Sequence, residues 1–411
     1  MSSETSAGAP LIVNDVVCGF CGLGCDDLVV EVAGREVRPK ASVCPEAARL
    51  LRRLDTADEA GPAADEVYDR ARRLLDAARA PVFAGLGADI DGGRAILDLA
   101  IRHGGVLDHA ASDGLFANYA AVQRTGWLST TLAEVRNHCD VLLVIGEDPT
   151  AAFGRFFERA LPAEALFTAS RHVIVLGGSL GASARRQLGG ATVTELAADD
   201  PVAALAALGQ MVSGPAPRGA SFGGATAEAL AEAAAALKGA AYAVAVWNAA
   251  ALDPADLIAE RATRLVDALN VTTRAGVFPL GGRDNVTGIN QLLLWRLGYP
   301  LRTAIRGEAS EHDASLYATG AALKDADLLV WVSAFRPEPP PAFDGPVIVI
   351  GHPDIECATP PDVFIPVGTP GVDHAGTVFR MDSIVSLPLG ALRVATLPSV
   401  AEAVRRLVPV R

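Results

Sequence analysis

Polar and apolar residues follow two different periods along this chain. Near the start, Leu28, Val30 and Val32 alternate with polar or exposed positions in "DLVVEV", and "AGRE" and "EVRP" follow. That period of two predicts a hairpin with one buried face, in a small β module whose first three cysteines lie in a loop. After "DTADEAGPAADE" the period lengthens. "EVYDRARRLLDAARA" carries apolar residues at helical spacing, and "PVFAGLG" reads as a short buried strand. A helix "GRAILDLAIRHGG", a strand "VLDHA", a helix-like "LFANYAAVQRTGW" and a helix from Thr131 to His138 come next. The last feeds a continuous apolar strand, Val141 to Ile145, that stops at Gly146. Unbroken strands of Val, Ile and Leu are the mark of parallel sheets covered on both faces.

One pattern recurs. "CDVLLVIGEDP" followed by "RHVIVLGGS" is echoed by "ADLLVWVSAFRPEP" followed by "GPVIVIGHPD". Each is an Asp-led strand, a Pro-bearing loop and a second strand ending in glycine, which predicts two α/β sheets of similar construction. A general likeness among Rossmann-like units also explains the echo. The predicted architecture is α/β: a Cys-rich β module over 1–55, a discontinuous α/β domain over 56–130 and 236–411, and a second α/β domain over 131–225. "SGPAPRGASFGG" (213–224) is the candidate linker, and "PEPPPAFDGP" (337–346) a stiff surface loop between core strands.

The chain has 411 residues, half of them apolar, enough to bury more than one core. A net charge of −13, with acidic residues scattered, argues against a nucleic-acid partner. "MSSETSAGAP" has neither a basic nor an apolar stretch of a signal peptide, and the apolar runs are too short to span a bilayer. A cytoplasmic protein without a membrane partner is expected.

Six cysteines are too few for a disulfide scaffold, yet Cys18, Cys21, Cys25 and Cys44 form Cys-x2-Cys-x3-Cys-x18-Cys. Four soft thiolates satisfy one zinc ion or one [4Fe–4S] cluster. Three ligands from one glycine-rich loop and a fourth from a distance favour the cluster, since zinc sites usually pair their ligands. Four free buried thiols are the alternative. No Walker A, G-x-S-x-G or H-E-x-x-H appears, and the glycines of 85–93 and 177–182 read as turns, with Asp89 and Asp91 set to repel a pyrophosphate. His109 and His374 stand in turn-rich segments. Two polar stretches, "FPLGGRDNVTGINQ" (278–291) and "GTPGVDHAGTVFRMDS" (368–383), suit a polar ligand site or two well-capped turns.

Together these motifs resemble the molybdopterin oxidoreductases, and within them the B subunit of formylmethanofuran dehydrogenase. "CGFCGLGCDDLVVEV", "TLAEVRNHCDVLLVIGEDP", "NVTGINQLLLWRLGYP" and "GVDHAGTVFRMD" carry the resemblance. It implies two Rossmann-like domains without the family's C-terminal β-barrel, and a [4Fe–4S] cluster on the four cysteines. It also implies a bis-pterin tungsten or molybdenum centre between the α/β domains, ligated by a cysteine or selenocysteine before the "TLAEVRN" helix. This sequence departs there: "DHAASDGLFANYAAVQRTGW" contains no cysteine, and only Ser112 or Asp113 stands in. A hard oxygen ligand does not suit the formate-type chemistry, so no tungsto- or molybdopterin is expected and redox catalysis is read as lost. Arg283, Asn285, Thr287, Asn290, His374, Thr377 and Arg380 are then candidates for a vestigial interdomain cleft.

The family supplies a non-redox role as well. Some methylotrophic bacteria use a relative as a formyltransferase/hydrolase that moves formyl groups from tetrahydromethanopterin to methylofuran and releases formate. The resemblance therefore implies a scaffolding B subunit without catalytic residues of its own, partnered by an amidohydrolase-like A, a C and a formyltransferase-like D subunit. The alternatives are an active metallopterin subunit using Ser112 or Asp113, and a zinc-binding α/β module.

Overall fold

The runs of Val, Ile and Leu become the centres of two parallel sheets. In this computed structural model, which describes residues 10–53 and 61–408, the chain divides into one unit of residues 1–112 with 282–411 and another of residues 113–281. The second unit is built on a five-stranded parallel sheet ordered Ala275–Leu280, Ala243–Asn248, Val141–Ile145, His172–Leu176, Thr192–Leu196. The first carries a seven-stranded sheet ordered Ala309–His312, Thr303–Arg306, Gly105–Leu107, Pro81–Gly87, Leu328–Ser333, Val347–Gly351, Val363–Pro366. Its last five strands are parallel, and the first two form an antiparallel extension.

The predicted echo is realised in these sheets. Val141–Ile145 pairs in parallel with His172–Leu176, and Leu328–Ser333 with Val347–Gly351. The leading aspartates also do the same work. Asp140 accepts the N–H groups of Ala241 and Tyr242 at 2.8 and 2.9 Å, and Asp327 those of Arg79 and Ala80 at 2.7 and 2.9 Å. Each carboxylate thus satisfies two backbone donors just ahead of the neighbouring strand. The five parallel strands of both units share one spatial order, but the chain enters them differently. In the first unit the pair Pro81–Gly87 and Gly105–Leu107 comes before the three-strand half, whereas in the second its counterpart, Ala243–Asn248 and Ala275–Leu280, comes after. The two sheets are circular permutations of one plan.

That permutation corrects the predicted boundaries. Residues 236–281 and 113–130 belong with the second unit. Ala243–Trp247 lies in register on Val141–Ile145, and every residue of both segments is buried. The segment 213–224 is no interdomain linker either. It lies within the second unit and ends in a hairpin, Ser221–Phe222 against Ala225–Thr226, whose Gly223 carbonyl accepts the Asp200 N–H at 3.1 Å. Its glycines encode a turn.

The N-terminal module is a three-stranded antiparallel sheet, Leu11–Val16, Leu28–Ala33 and Glu36–Ala41, and it belongs to the first unit. Leu28 and Val30 are buried as predicted, and Val32 is half-buried. Among the described residues, no helix is long and apolar enough to cross a membrane.

Candidate functional site

The loop from Cys18 to Cys25 is closed by its own backbone, the Cys18 N–H donating to the Cys25 carbonyl at 2.8 Å. None of the four cysteines is in a disulfide. Cys44 stands just ahead of the helix Pro45–Arg53. Gly24 takes a positive φ of 64°, and a Cβ there would come within 2.5 Å of Leu387; only glycine lets the loop lie this close to its neighbours.

Backbone N–H groups of Phe20 and Leu23 point at the sulfurs of Cys18 and Cys21, and that of Ala47 points at Cys44 Sγ at 3.4 Å. Burial pushes the Cys18 thiol well up and Cys21 up to about 12. Neutral thiols are weak acceptors, so a buried loop that aims N–H groups at its sulfurs suits thiolates neutralised by a metal. Among the described residues no three Cys, His, Asp or Glu side chains converge on a single ion. By their chemistry the four thiols, three of them on one loop, could hold a thiolate-bound metal or a [4Fe–4S] cluster.

Both polar stretches pack against this loop. The Asp284 N–H donates to the Phe20 carbonyl at 3.1 Å, and the Met381 N–H to the Gly22 carbonyl at 2.8 Å. Asn285 joins the stretches, donating to the Ala88 carbonyl and accepting from the Phe379 N–H, both at 2.9 Å. It does so from a left-handed conformation, φ 65°, which asparagine tolerates. Arg283 forks onto Glu338 at 2.9 and 3.1 Å, Asn290 accepts the Leu301 N–H at 3.0 Å, and Arg380 pairs with Asp382 at 2.7 Å. Thr287 is buried in the helix Val286–Leu297, and Thr377 lies in the strand Gly376–Phe379 opposite Pro388. His374 contacts the Ala375 carbonyl through Nδ1 at 2.8 Å, while its Nε2 is buried without a hydrogen-bond partner. Most of the candidate residues therefore spend their polar groups on the protein itself.

His109 is likewise structural. Its Nδ1 accepts the Ala111 N–H at 2.9 Å, so Nε2 carries the proton and donates to the Asp284 carbonyl at 3.1 Å. Burial pushes its pKa down to about 3. In the stretch where the resemblance leads one to expect a metal ligand, Ser112 is buried, and its Oγ accepts from Arg302 Nε at 3.3 Å and Nη2 at 3.0 Å. Arg302 also donates to the Ala314 carbonyl at 2.7 Å and lies 3.6 Å from the buried Asp108 carboxylate. Asp108 in turn accepts the Thr319 N–H and hydroxyl, each at 2.8 Å. Asp113 is exposed in the first turn of the helix Ser112–Thr125.

Sequence reasoning missed two features. Arg336, just past the end of the strand Leu328–Ser333, reaches Asp284 at 2.7 Å, Glu46 at 3.0 Å and the Phe20 carbonyl at 3.1 Å. A charged residue just past the carboxyl end of a central parallel strand was the available signal. The second unit also holds a cavity of about 230 Å³ lined by Ile145, Asp148, Pro149, Trp247, Asn248 and Leu252. It sits at the carboxyl ends of Val141–Ile145 and Ala243–Asn248, where the strand order reverses, the usual place for a ligand in such sheets.

No family model matches the chain. It is 29% identical over 329 residues to the B subunit of the formyltransferase/hydrolase complex of Methylorubrum extorquens, covering 77% of this chain and 85% of the relative. It is 25% identical to the B subunit of the tungsten-containing formylmethanofuran dehydrogenase 2 of Methanocaldococcus jannaschii, covering 91% and 92%. A chain in the crystal structure of the Methylorubrum extorquens formyltransferase/hydrolase complex with methylofuran superposes with a TM-score of 0.70 at 26% identity, over 84% of this chain and 95% of that one. The resemblance read from the cysteine loop and the later motifs is borne out along most of the chain.

Proposed function

We propose that this chain is a non-redox, scaffolding B subunit of a formyltransferase/hydrolase complex in one-carbon metabolism. The similarity to the B subunit of such a complex carries the reading. The stretch 108–127 supports it, since it holds no cysteine and its buried Ser112 hydroxyl is committed to Arg302. Its partners in this reading are an amidohydrolase-like A, a C and a formyltransferase-like D subunit, in a methylotrophic, cytoplasmic setting. Hydrolysis moves no electrons, so a chain that has lost its redox ligand still serves the assembly.

Cys18, Cys21, Cys25 and Cys44 would hold a [4Fe–4S] cluster, a group that supplies one-electron transfer when bound. In this role the thiols and their N–H donors order the loop against 284 and 381. The tungsten-containing relatives, which cover 91% of the chain, favour a redox subunit as the second reading.

Anaerobic purification with mass spectrometry of the co-purifying chains, elemental analysis and a formate-dependent viologen assay tests both. The expected result is recovery of A-, C- and D-type subunits without tungsten, molybdenum or dye reduction. Tungsten or molybdenum with dye reduction overturns the proposal in favour of the redox subunit.

A further inference from the structure

The thiols come from two places in the sequence: one loop supplies Cys18, Cys21 and Cys25, and Cys44 follows after eighteen residues. One guanidinium touches both. Arg336 Nη2 donates to the Phe20 carbonyl, between the first two cysteines, at 3.1 Å. Its Nη1 reaches Glu46, two residues past Cys44, at 3.0 Å. Its Nε is held by Asp284 at 2.7 Å, and the Asp284 N–H donates to the same Phe20 carbonyl. Only 12% of the Arg336 side chain is exposed. Burial works against its charge, and Asp284, Glu46 and Glu338 outweigh that cost.

We propose that Arg336 is the positioning residue and fixed counter-cation of the cysteine site, joining the two thiol-bearing segments and offsetting the negative charge of a thiolate-bound cluster. The inference rests on the cluster reading above. The chemistry favours arginine specifically: a planar fork can serve a carbonyl and two carboxylates together, whereas a lysine offers one point charge. Four thiolates around a [4Fe–4S]2+ core leave a net charge of about −2, and net charge is among the terms that set a cluster's potential.

The test compares the full chain, anaerobically purified with its partners, as wild type, Arg336→Gln and Arg336→Lys. Iron per chain after gel filtration and the midpoint of an EPR-monitored redox titration are read. Arg336→Gln is expected to retain iron on the order of 10-fold more weakly, as happens when a group that orients metal ligands is removed, and to titrate at a more negative potential. Arg336→Lys should lose iron retention but keep a potential near wild type, because it keeps the charge without the fork. Wild-type iron and potential in Arg336→Gln overturn this inference alone. Wild-type protein that binds no iron overturns the cluster reading and this inference with it. If Arg336→Gln does not fold, Glu46→Gln weakens the link to the Cys44 helix, together with the Glu46–Arg49 pair inside that helix, and should lower iron retention in the same direction while Arg49→Gln does not; wild-type retention in Glu46→Gln overturns the bridging role.

Discussion

Substituting Ser112 separates a metal ligand from a structural hydroxyl. In Ser112→Ala the buried Arg302 loses one acceptor, the Ser112 Oγ 3.3 Å from Nε and 3.0 Å from Nη2, but keeps the Ala314 carbonyl and its approach to Asp108. A buried donor left without a partner costs about 1–3 kcal/mol. The Asp108 oxygen, 3.6 Å from Nε, is near enough to recover part of that, so about 2 kcal/mol is expected. For a unit of this size each kcal/mol moves the transition by about 2–4 °C, which gives a fall of about 4–8 °C in a calorimetric scan. Asp108→Ala should cost more, about 3–5 kcal/mol, because it strands the buried Arg302 charge and removes both Thr319 contacts. The ranking is the sharper test. Ser112→Ala with a wild-type transition, or Asp108→Ala milder than Ser112→Ala, would refute the network argument. Selective loss of bound tungsten or molybdenum in Ser112→Ala would restore the redox reading.

The remaining predictions address other groups of the first unit. His109 has an ordinary pKa of 6.5 and a folded one pushed down to about 3 by burial. Between those values the unfolded state binds the extra proton, so stability is full above the ordinary value and lost as pH falls, by about 1.4 kcal/mol per pH unit. Urea unfolding at about pH 7.5 and about pH 5 should show wild type losing about 2 kcal/mol more than His109→Gln; equal losses refute it. Cys21→Ser should lose iron and lower the melting temperature, and wild-type values for both would remove the cluster from the reading. Asp373 accepts from Arg393 Nε at 2.7 Å and from the Thr369 N–H at 2.8 Å, in a pair almost wholly out of water. Asp373→Ala should cost about 3–5 kcal/mol by urea midpoint, with Arg393→Met in that background recovering part of it; no recovery would show that the stranded charge is not the cause.

What the sequence discloses about this fold is what local pattern encodes. Unbroken apolar runs identify the central strands, because a strand covered on both faces needs no polar alternation. Thr131 and Glu134 form a capping box at the start of the predicted helix, three residues apart and readable by eye. The domain boundary is not readable this way. Whether Ala243–Asn248 pairs with Val141–Ile145 or with Pro81–Gly87 is decided by parallel register between segments far apart, and both partners are equally apolar. The arginines are hidden for the same reason. Arg336 and Glu46 are 290 positions apart and Arg302 and Ser112 are 190 apart, and no local spacing announces such pairs.

The density of polar residues at 283–290 and 374–380 reads in the sequence as a sign of a ligand site, and its partners give it another meaning. A site built to hydrogen-bond a ligand exposes groups that stay unpaired until the ligand arrives, and leaving them buried and unpaired is costly. Here Arg283, Asn285, Asn290 and Arg380 are already paired with Glu338, the Ala88 carbonyl and Phe379 N–H, the Leu301 N–H and Asp382, while His374 keeps a buried, unpaired Nε2. Those bonds tie the 283–290 and 374–380 stretches to one another, to Ala88 just past the strand Pro81–Gly87, and to Glu338 in the loop after Leu328–Ser333. Asp284 and Met381 then tie both stretches to the cysteine loop. Such a network holds the N-terminal module on the α/β unit whether or not a ligand is present. The scaffolding role proposed above requires that independence, and the polar groups supply it.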